Sequence, residues 1–265
     1  MVFNAVADFL EAKTDPRTRG WFMVDSLGLL ATVLFVYVYF CSVAGPRWMK
    51  DRKPFDLKRP MLVYNALQVF MSAVLVYEGL QGGWLQGYNF SCQDVDYSDN
   101  PIALRMARAV WLYYICKLTE LLDTVAMVLR KKTRQVSPLH LWHHTLMPIT
   151  SYIGVRFLPG GHGTLLGVIN SFVHVIMYSY YLLSGLGPEY QKYLWWKKYL
   201  TLLQLVQFTI LSTHSAYGLF FGTCSYPKFI LTLLVVNQVN FIIQFGRFYI
   251  RTYQSEKKQK QQKAA

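Results

Sequence analysis

The sequence predicts an all-α membrane protein of seven transmembrane helices, with a non-cytosolic N-terminus and a cytosolic C-terminus. Three observations carry that prediction. The 265 residues are 53% hydrophobic and only 15% charged, against about 45–50% and about 25% in ordinary soluble domains. The apolar residues fall in long blocks separated by short links, the pattern of a multi-span protein. The basic residues crowd into alternate links, which sets an orientation. A net charge of +13 would suggest nucleic acid on a soluble basic face. Here the lysines and arginines sit between apolar blocks, so nucleic acid is not expected as a partner. The first 22 residues mix Asp8, Glu11, Asp15 and Arg17 without an apolar core, so no cleavable signal peptide is expected and the first span would direct insertion.

Span one, 25–44, contains "LGLLATVLFVYVYFCSVA", and link one after it (45–60) holds six basic residues, Arg47, Lys50, Arg52, Lys53, Lys58 and Arg59. Span two is 61–84, and link two (85–103) has no basic residue but carries the acceptor pattern Asn89-Phe90-Ser91 and Cys92. Span three is 104–129, followed by Arg130, Lys131, Lys132 and Arg134. Span four, 139–158, leads into a link without basic residues, and span five, 163–184, into one with Lys192, Lys197 and Lys198. Span six is 199–222, then a link with Cys224 and no basic residue. Span seven, 228–250, contains "FILTLLVVNQVNFIIQF" and precedes a solvated basic tail with Arg251, Lys257, Lys258, Lys260 and Lys263. The alternation puts links one, three, five and the tail in the cytosol. Asn89 then lies where glycosylation is usable. Cys92 and Cys224 share the oxidising side, so a disulfide is favoured over two free thiols, while Cys41 and Cys116 read as small apolar fillers.

The middle spans carry polar groups that cost free energy in lipid unless they have a role. "HLWHH" places His140, His143 and His144 on one helix face. "KLTELLDT" repeats Lys117, Glu120 and Asp123 every three residues, as an internal ion-pair ladder or as the lining of a polar cavity. Span five offers Asn170 and His174 at i, i+4, with Tyr178 and Tyr181 following. Thr201, Gln204 and Gln207 share a stripe suited to interhelical hydrogen bonds. His162 and His214 stand toward the other end and are left outside the site. Two chemistries compete for the box. Membrane di-iron enzymes use about eight histidines in several boxes, whereas this chain has six in all and no second box; Glu120 and Asp123 nevertheless keep a metal site open by counting. The alternative is nucleophilic catalysis, in which neutral imidazole attacks a thioester and a second histidine and a carboxylate orient it and move protons. The resulting acyl-imidazole hydrolyses readily, so a dry membrane interior suits it.

At this point the chain resembles the very-long-chain fatty acid elongases (the ELO family), the 3-oxoacyl-CoA synthases of the endoplasmic reticulum. "KLTELLDT", "HLWHH", "NSFVHVIMYSYY" and "TLLQLVQF" are similar to four ordered boxes of that family, K-x-x-E-x-x-D-T, H-x-x-H-H, H-x-x-M-Y-x-Y-Y and T-x-x-Q-x-x-Q. "GPRWMKDRKPF", "DYSDNPIALRMARAVWL" and "GPEYQKYLWWKKYL" resemble its animal subgroup acting on saturated and monounsaturated acyl-CoAs. Leu141-Trp142 stands where Val-Phe is usual there. The likeness runs from about residue 40 to 224. It implies a decarboxylative Claisen condensation of a long-chain acyl-CoA with malonyl-CoA, without a bound cofactor or metal, in a single membrane domain with six of seven helices ringed around a narrow acyl tunnel.

Carried over, the resemblance makes His143 the acyl acceptor with His174 facing it, and His140 and His144 the groups that hold geometry and shuttle protons. Asp123 or Glu120 would orient an imidazole and Asn170 would position the thioester or enolate. Lys117, Tyr178, Tyr181 and Gln204 would line the substrate path, and Lys197, Lys198 and Tyr180 would meet CoA at the cytosolic mouth. Chain length would be read around Leu211 to Phe221. The likeness admits a homodimer and cooperation with the reductases and dehydratase of the elongation cycle. The rival classes are a membrane di-iron desaturase or hydroxylase and a non-enzymatic seven-span receptor or transporter.

Overall fold

The computed structural model describes residues 11–254, and among them every regular element is helical. Asp8 and the tail lysines Lys257, Lys258, Lys260 and Lys263 lie outside the described residues. In chain order the α-helices are α1 Leu27–Tyr39, α2 Gly45–Met49, α3 Lys58–Gly79, α4 Pro101–Thr119, α5 Leu121–Leu129, α6 Pro138–Phe157, α7 Thr164–Leu186, α8 Lys197–Phe220 and α9 Lys228–Tyr249. π-helical turns at Phe40–Ala44 and Leu80–Trp84 continue α1 into α2 and extend α3.

The local chemistry explains where helices start. Ser26 accepts from Leu29 N–H, Asn100 from Ala103 N–H and Ser137 from His140 N–H, each satisfying a first-turn donor. Pro101 and Pro138 follow two of these caps, at the position where proline's missing N–H costs nothing. Most helix ends fall within about three residues of the expected spans, although the first stretch continues to Met49. Four stretches are long and apolar enough to cross a membrane by composition alone: Leu27–Met49, Lys58–Trp84, Thr164–Leu186 and Lys228–Tyr253. The stretches holding the Lys-Glu-Asp stripe, the histidine box and the glutamine stripe are not among them, because ionisable and amide side chains lower their mean hydropathy.

The chain divides into two compact units. The first comprises, of the described residues, those from 11 to 57 with Glu78–Gln86 and Val95–Gly161. Its core gathers Leu30, Leu34 and Tyr37 of α1, Tyr114 of α4, Leu121 and Val128 of α5, and Tyr152 and Val155 of α6. Arg156 closes one end: its guanidinium donates to the carbonyls of Val24 (3.0 Å) and Asp25 (2.9 Å) and to Glu11 (2.8 Å), fixing the segment before α1. Arg105 holds Glu78 with two bonds of 2.7 and 2.9 Å, the bidentate geometry suited to a fixed register.

The second unit comprises Lys58–Tyr77, Gly87–Asp94 and the described chain from 162 to 254. Its α8 and α9 pack together through Phe208, Phe241 and Phe245, whose ring centroids lie 5.1–6.4 Å apart. The α8 C-terminus leaves carbonyls without helical partners, and Lys228 Nζ donates to those of Gly218, Leu219 and Gly222 at 2.9–3.1 Å. The expected Cys92–Cys224 disulfide is formed beside that turn, and Cys41 and Cys116 are free and buried as expected.

Candidate functional site

In the first unit, Ser137 and Pro138 start α6 so that the box lies in its first two turns. A helix stacks residues i and i+4, and the ring centroids of His140 and His144 are 4.2 Å apart. His143 meets His144 nearly edge-on at 5.2 Å. The three imidazoles thus form one half-buried cluster, as their spacing requires.

The Lys-Glu-Asp stripe spans a joint. Glu120 separates α4 from α5, with φ −63° and ψ −17°. Lys117 Nζ bonds Glu120 Oε1 at 2.7 Å, and the two side chains are 2% and 3% exposed. This is the internal ion pair, fully desolvated, and removing either member would strand the other charge at a cost of about 3–5 kcal/mol. The ammonium also lies 4.8 Å from the Tyr113 ring centroid. Asp123 is buried on the next turn.

Two residues outside the expected set position the box. Thr124 Oγ1 and His140 Nε2 share a hydrogen bond of 2.9 Å, and Thr124 Oγ1 and Tyr37 Oη share one of 2.8 Å. Tyr37 is 5% and Thr124 0% exposed, so the bonds are shielded from competing water. A hydroxyl chain from α1 through α5 therefore fixes the orientation of His140. Thr124 was visible as the last residue of its box; a tyrosine inside the first apolar run carried no such signal.

In the second unit, Asn170, His174 and Tyr178 are buried along one side of α7. Tyr178 is fully buried, packs edge-on against His174 at 5.6 Å, and meets Tyr64 at 6.1 Å. Tyr181 is 40% exposed and stands 5.9 Å from Tyr178. Gln204 donates weakly to Met177 Sδ at 3.8 Å. Tyr180 packs on Trp196 at 5.2 Å, while Lys197 and Lys198 are exposed at the start of α8. His162 and His214 stack on each other at 3.8 Å, beside the disulfide-bearing loop, where His162 N–H donates to Gln93 O at 2.9 Å. Among the described residues, no group of three or more His, Cys, Asp or Glu is arranged to hold a metal ion.

Residues 22–261 match the ELO family, described as the GNS1/SUR4 family, so the match reaches beyond the four boxes at both ends. The chain is 47% identical over 258 residues to a very long chain fatty acid elongase of Aedes aegypti, covering 97% of this chain and 72% of that one. It is 45% identical over 253 residues to very long chain fatty acid elongase 7 of Drosophila melanogaster, covering 96% and 77%. Against very long chain fatty acid elongase 1 of Homo sapiens the identity is 44% over 245 residues, covering 92% and 88%.

Proposed function

The chain belongs to the ELO (GNS1/SUR4) family, and from that premise we propose that it is the condensing enzyme of very-long-chain fatty acid elongation. The reaction joins a long-chain acyl-CoA to malonyl-CoA, giving a 3-oxoacyl-CoA two carbons longer with CO2 and CoA released. The observation that supports an imidazole mechanism is the cluster of His140, His143 and His144, with His140 held by Thr124.

An imidazole nitrogen of His143 attacks the thioester carbon, the C–S bond breaks, and the CoA thiolate takes up the proton that the imidazole sheds. Decarboxylation of malonyl-CoA leaves an enolate whose carbon attacks the acyl carbonyl; the C–N bond breaks, and the departing ring nitrogen takes up a proton from the medium in place of the one carried off by CoA, restoring the imidazole. His140 and His144 keep the attacking ring oriented and handle its proton, while Asp123 sets an imidazole's tautomer. The same reading assigns His174 and Asn170 to proton transfer and to holding the enolate. The groups are side chains only, and the chemistry calls for no bound cofactor.

Mass spectrometry after incubation with acyl-CoA alone should find an acyl adduct on a histidine of the box or on His174; its absence overturns the covalent step. An assay with labelled malonyl-CoA and a panel of acyl-CoAs tests the reaction itself. Stoichiometric iron, with activity lost on chelation, would replace the reading by an oxidase. Lys197→Ala should raise KM for acyl-CoA more than it lowers turnover, and an unchanged KM removes Lys197 from the CoA site.

The helical stretches among the described residues, the alternating basic links and the position of Cys92–Cys224 support seven spans, and the family resemblance implies the endoplasmic reticulum membrane. The N-terminus, Asn89 and the disulfide are then lumenal, and the box begins just inside the cytosolic face.

A further inference from the structure

A cavity of about 670 Å³ opens within the first unit, apart from the histidine rings. Its floor is apolar and buried: Cys41 and Met49 are each 2% exposed and Val128 4%. Val136 and Leu141 continue the apolar wall, from the link before α6 and its first turn. The rim is polar and cationic, with Lys50 and Lys131 and the hydroxyl residues Ser42, Thr133 and Ser137. Among the residues that line it there is no carboxylate and no aromatic ring.

The backbone around this cavity is irregular at two points. Cys41 and Ser42 belong to the π-helical turn that joins α1 to α2, and such turns recur at functional sites. Lys131 takes a positive φ of 54°, which few residues other than glycine adopt. Its Nζ donates to Lys50 O at 2.9 Å, which spends one of three ammonium donors and plants the charge at the end of α2. The N-terminus of α6 enters the same lining at Ser137 and Pro138, adding positive partial charge beside the lysines.

We infer that this cavity binds an acidic glycerophospholipid, its phosphate between Lys50 and Lys131 and the start of one acyl chain over Cys41, Met49 and Val128. The orientation proposed above puts these residues at the headgroup level of the cytosolic leaflet, and the inference rests on that orientation. The volume lies within the range of ligand sites. The cationic rim over an apolar floor matches an anionic amphiphile. CoA is a poorer match, because its adenine finds no aromatic shelf in this lining.

The test uses the full chain in nanodiscs of phosphatidylcholine with a photoactivatable phosphatidylserine, with condensing activity measured on the same samples. Labelled peptides should map to 41–50 and 128–141, and unlabelled phosphatidylserine should compete. Lys50→Gln with Lys131→Gln should weaken binding about twenty-five-fold, taking about fivefold for each juxtamembrane lysine. Ser42→Phe, which fills the cavity and leaves the charges, should abolish labelling as well. Equal labelling of the double variant, equal labelling by a photoactivatable phosphatidylcholine, or displacement by acyl-CoA instead of phospholipid would each overturn the inference. Activity with no labelling removes the lipid site alone, whereas absent activity with labelling intact removes the enzyme reading alone.

Discussion

His140 is held from two directions. Its ring lies against His144 at 4.2 Å, and its Nε2 is bonded through Thr124 to the hydroxyl of Tyr37. A buried hydrogen bond of this kind contributes about 1 kcal/mol net. Tyr37→Phe should therefore lower turnover about fivefold with KM for acyl-CoA nearly unchanged, because the ring that contacts the chemistry is still present but less well oriented. Thr124→Val, which removes both bonds, should lose more, and Thr124→Ser should restore most of it. A parallel loss of KM and turnover, or no rescue by serine, would show that Tyr37 and Thr124 serve packing only. The box itself was legible because helical spacing dictates which imidazoles stack. Its support was not, because a tyrosine in an apolar run resembles any aromatic in lipid, and only the tertiary fold brings residue 37 to residue 124.

A second histidine, outside the spans, gives a pH dependence. Burial against the α8 end holds the His162 imidazole below its ordinary value near 6.5, only partly offset by its bond to the His214 carbonyl. The unfolded chain thus takes up a proton before the folded one does. Stability from this residue is complete above about pH 6.5 and is lost as pH falls toward the folded value. Thermal unfolding of the purified protein should move to lower temperature as the pH is taken from about 7.5 to about 5.5. His162→Gln should flatten that dependence, and an unchanged slope would assign it to other groups.

Among the elements, the joints are more informative than the helices. The apolar runs marked helix positions closely, since their length and caps are local properties of the chain. The break at Glu120 and the π-helical turns at Phe40–Ala44 and Leu80–Trp84 left no local mark, because they answer to packing. Pro46 sits in the first turn of α2, just past the π-helical turn at Phe40–Ala44. Gly45, directly after that turn, marks a close approach of α2 to α5. A Cβ there would come within 2.7 Å of Val128 Cγ1 on α5 and of the Phe40 carbonyl. Gly45→Ala must push α2 from α5, and the expected loss is about 1–3 kcal/mol. That would appear as a lower melting temperature, with the histidine box unaltered in acyl-adduct assays. An unchanged melting temperature would mean that α2 shifts at no cost.

On the scale of the whole molecule, the same side chains that set orientation also provide its test. Links one, three and five hold six, four and three basic residues, and the links between them none. Lysine and arginine are retained on the cytosolic side of short links, and they are also the sites at which trypsin cuts. In sealed microsomes with the cytosolic face outward, trypsin should cleave in 45–60, 130–138 or 185–198 without detergent. Link two offers trypsin nothing, but Phe90 and Tyr97 are 60% and 53% exposed and open to chymotrypsin. Chymotrypsin should cut there only after the membrane is permeabilised, and the fragments on either side of residue 97 should separate only after further cleavage or reduction, since Cys92–Cys224 ties the loop to the α8 end. Cleavage at Phe90 or Tyr97 in sealed vesicles would reverse the orientation. It would also move the histidine box to the lumenal end, away from the cytosolic supply of CoA thioesters on which the proposed condensation depends.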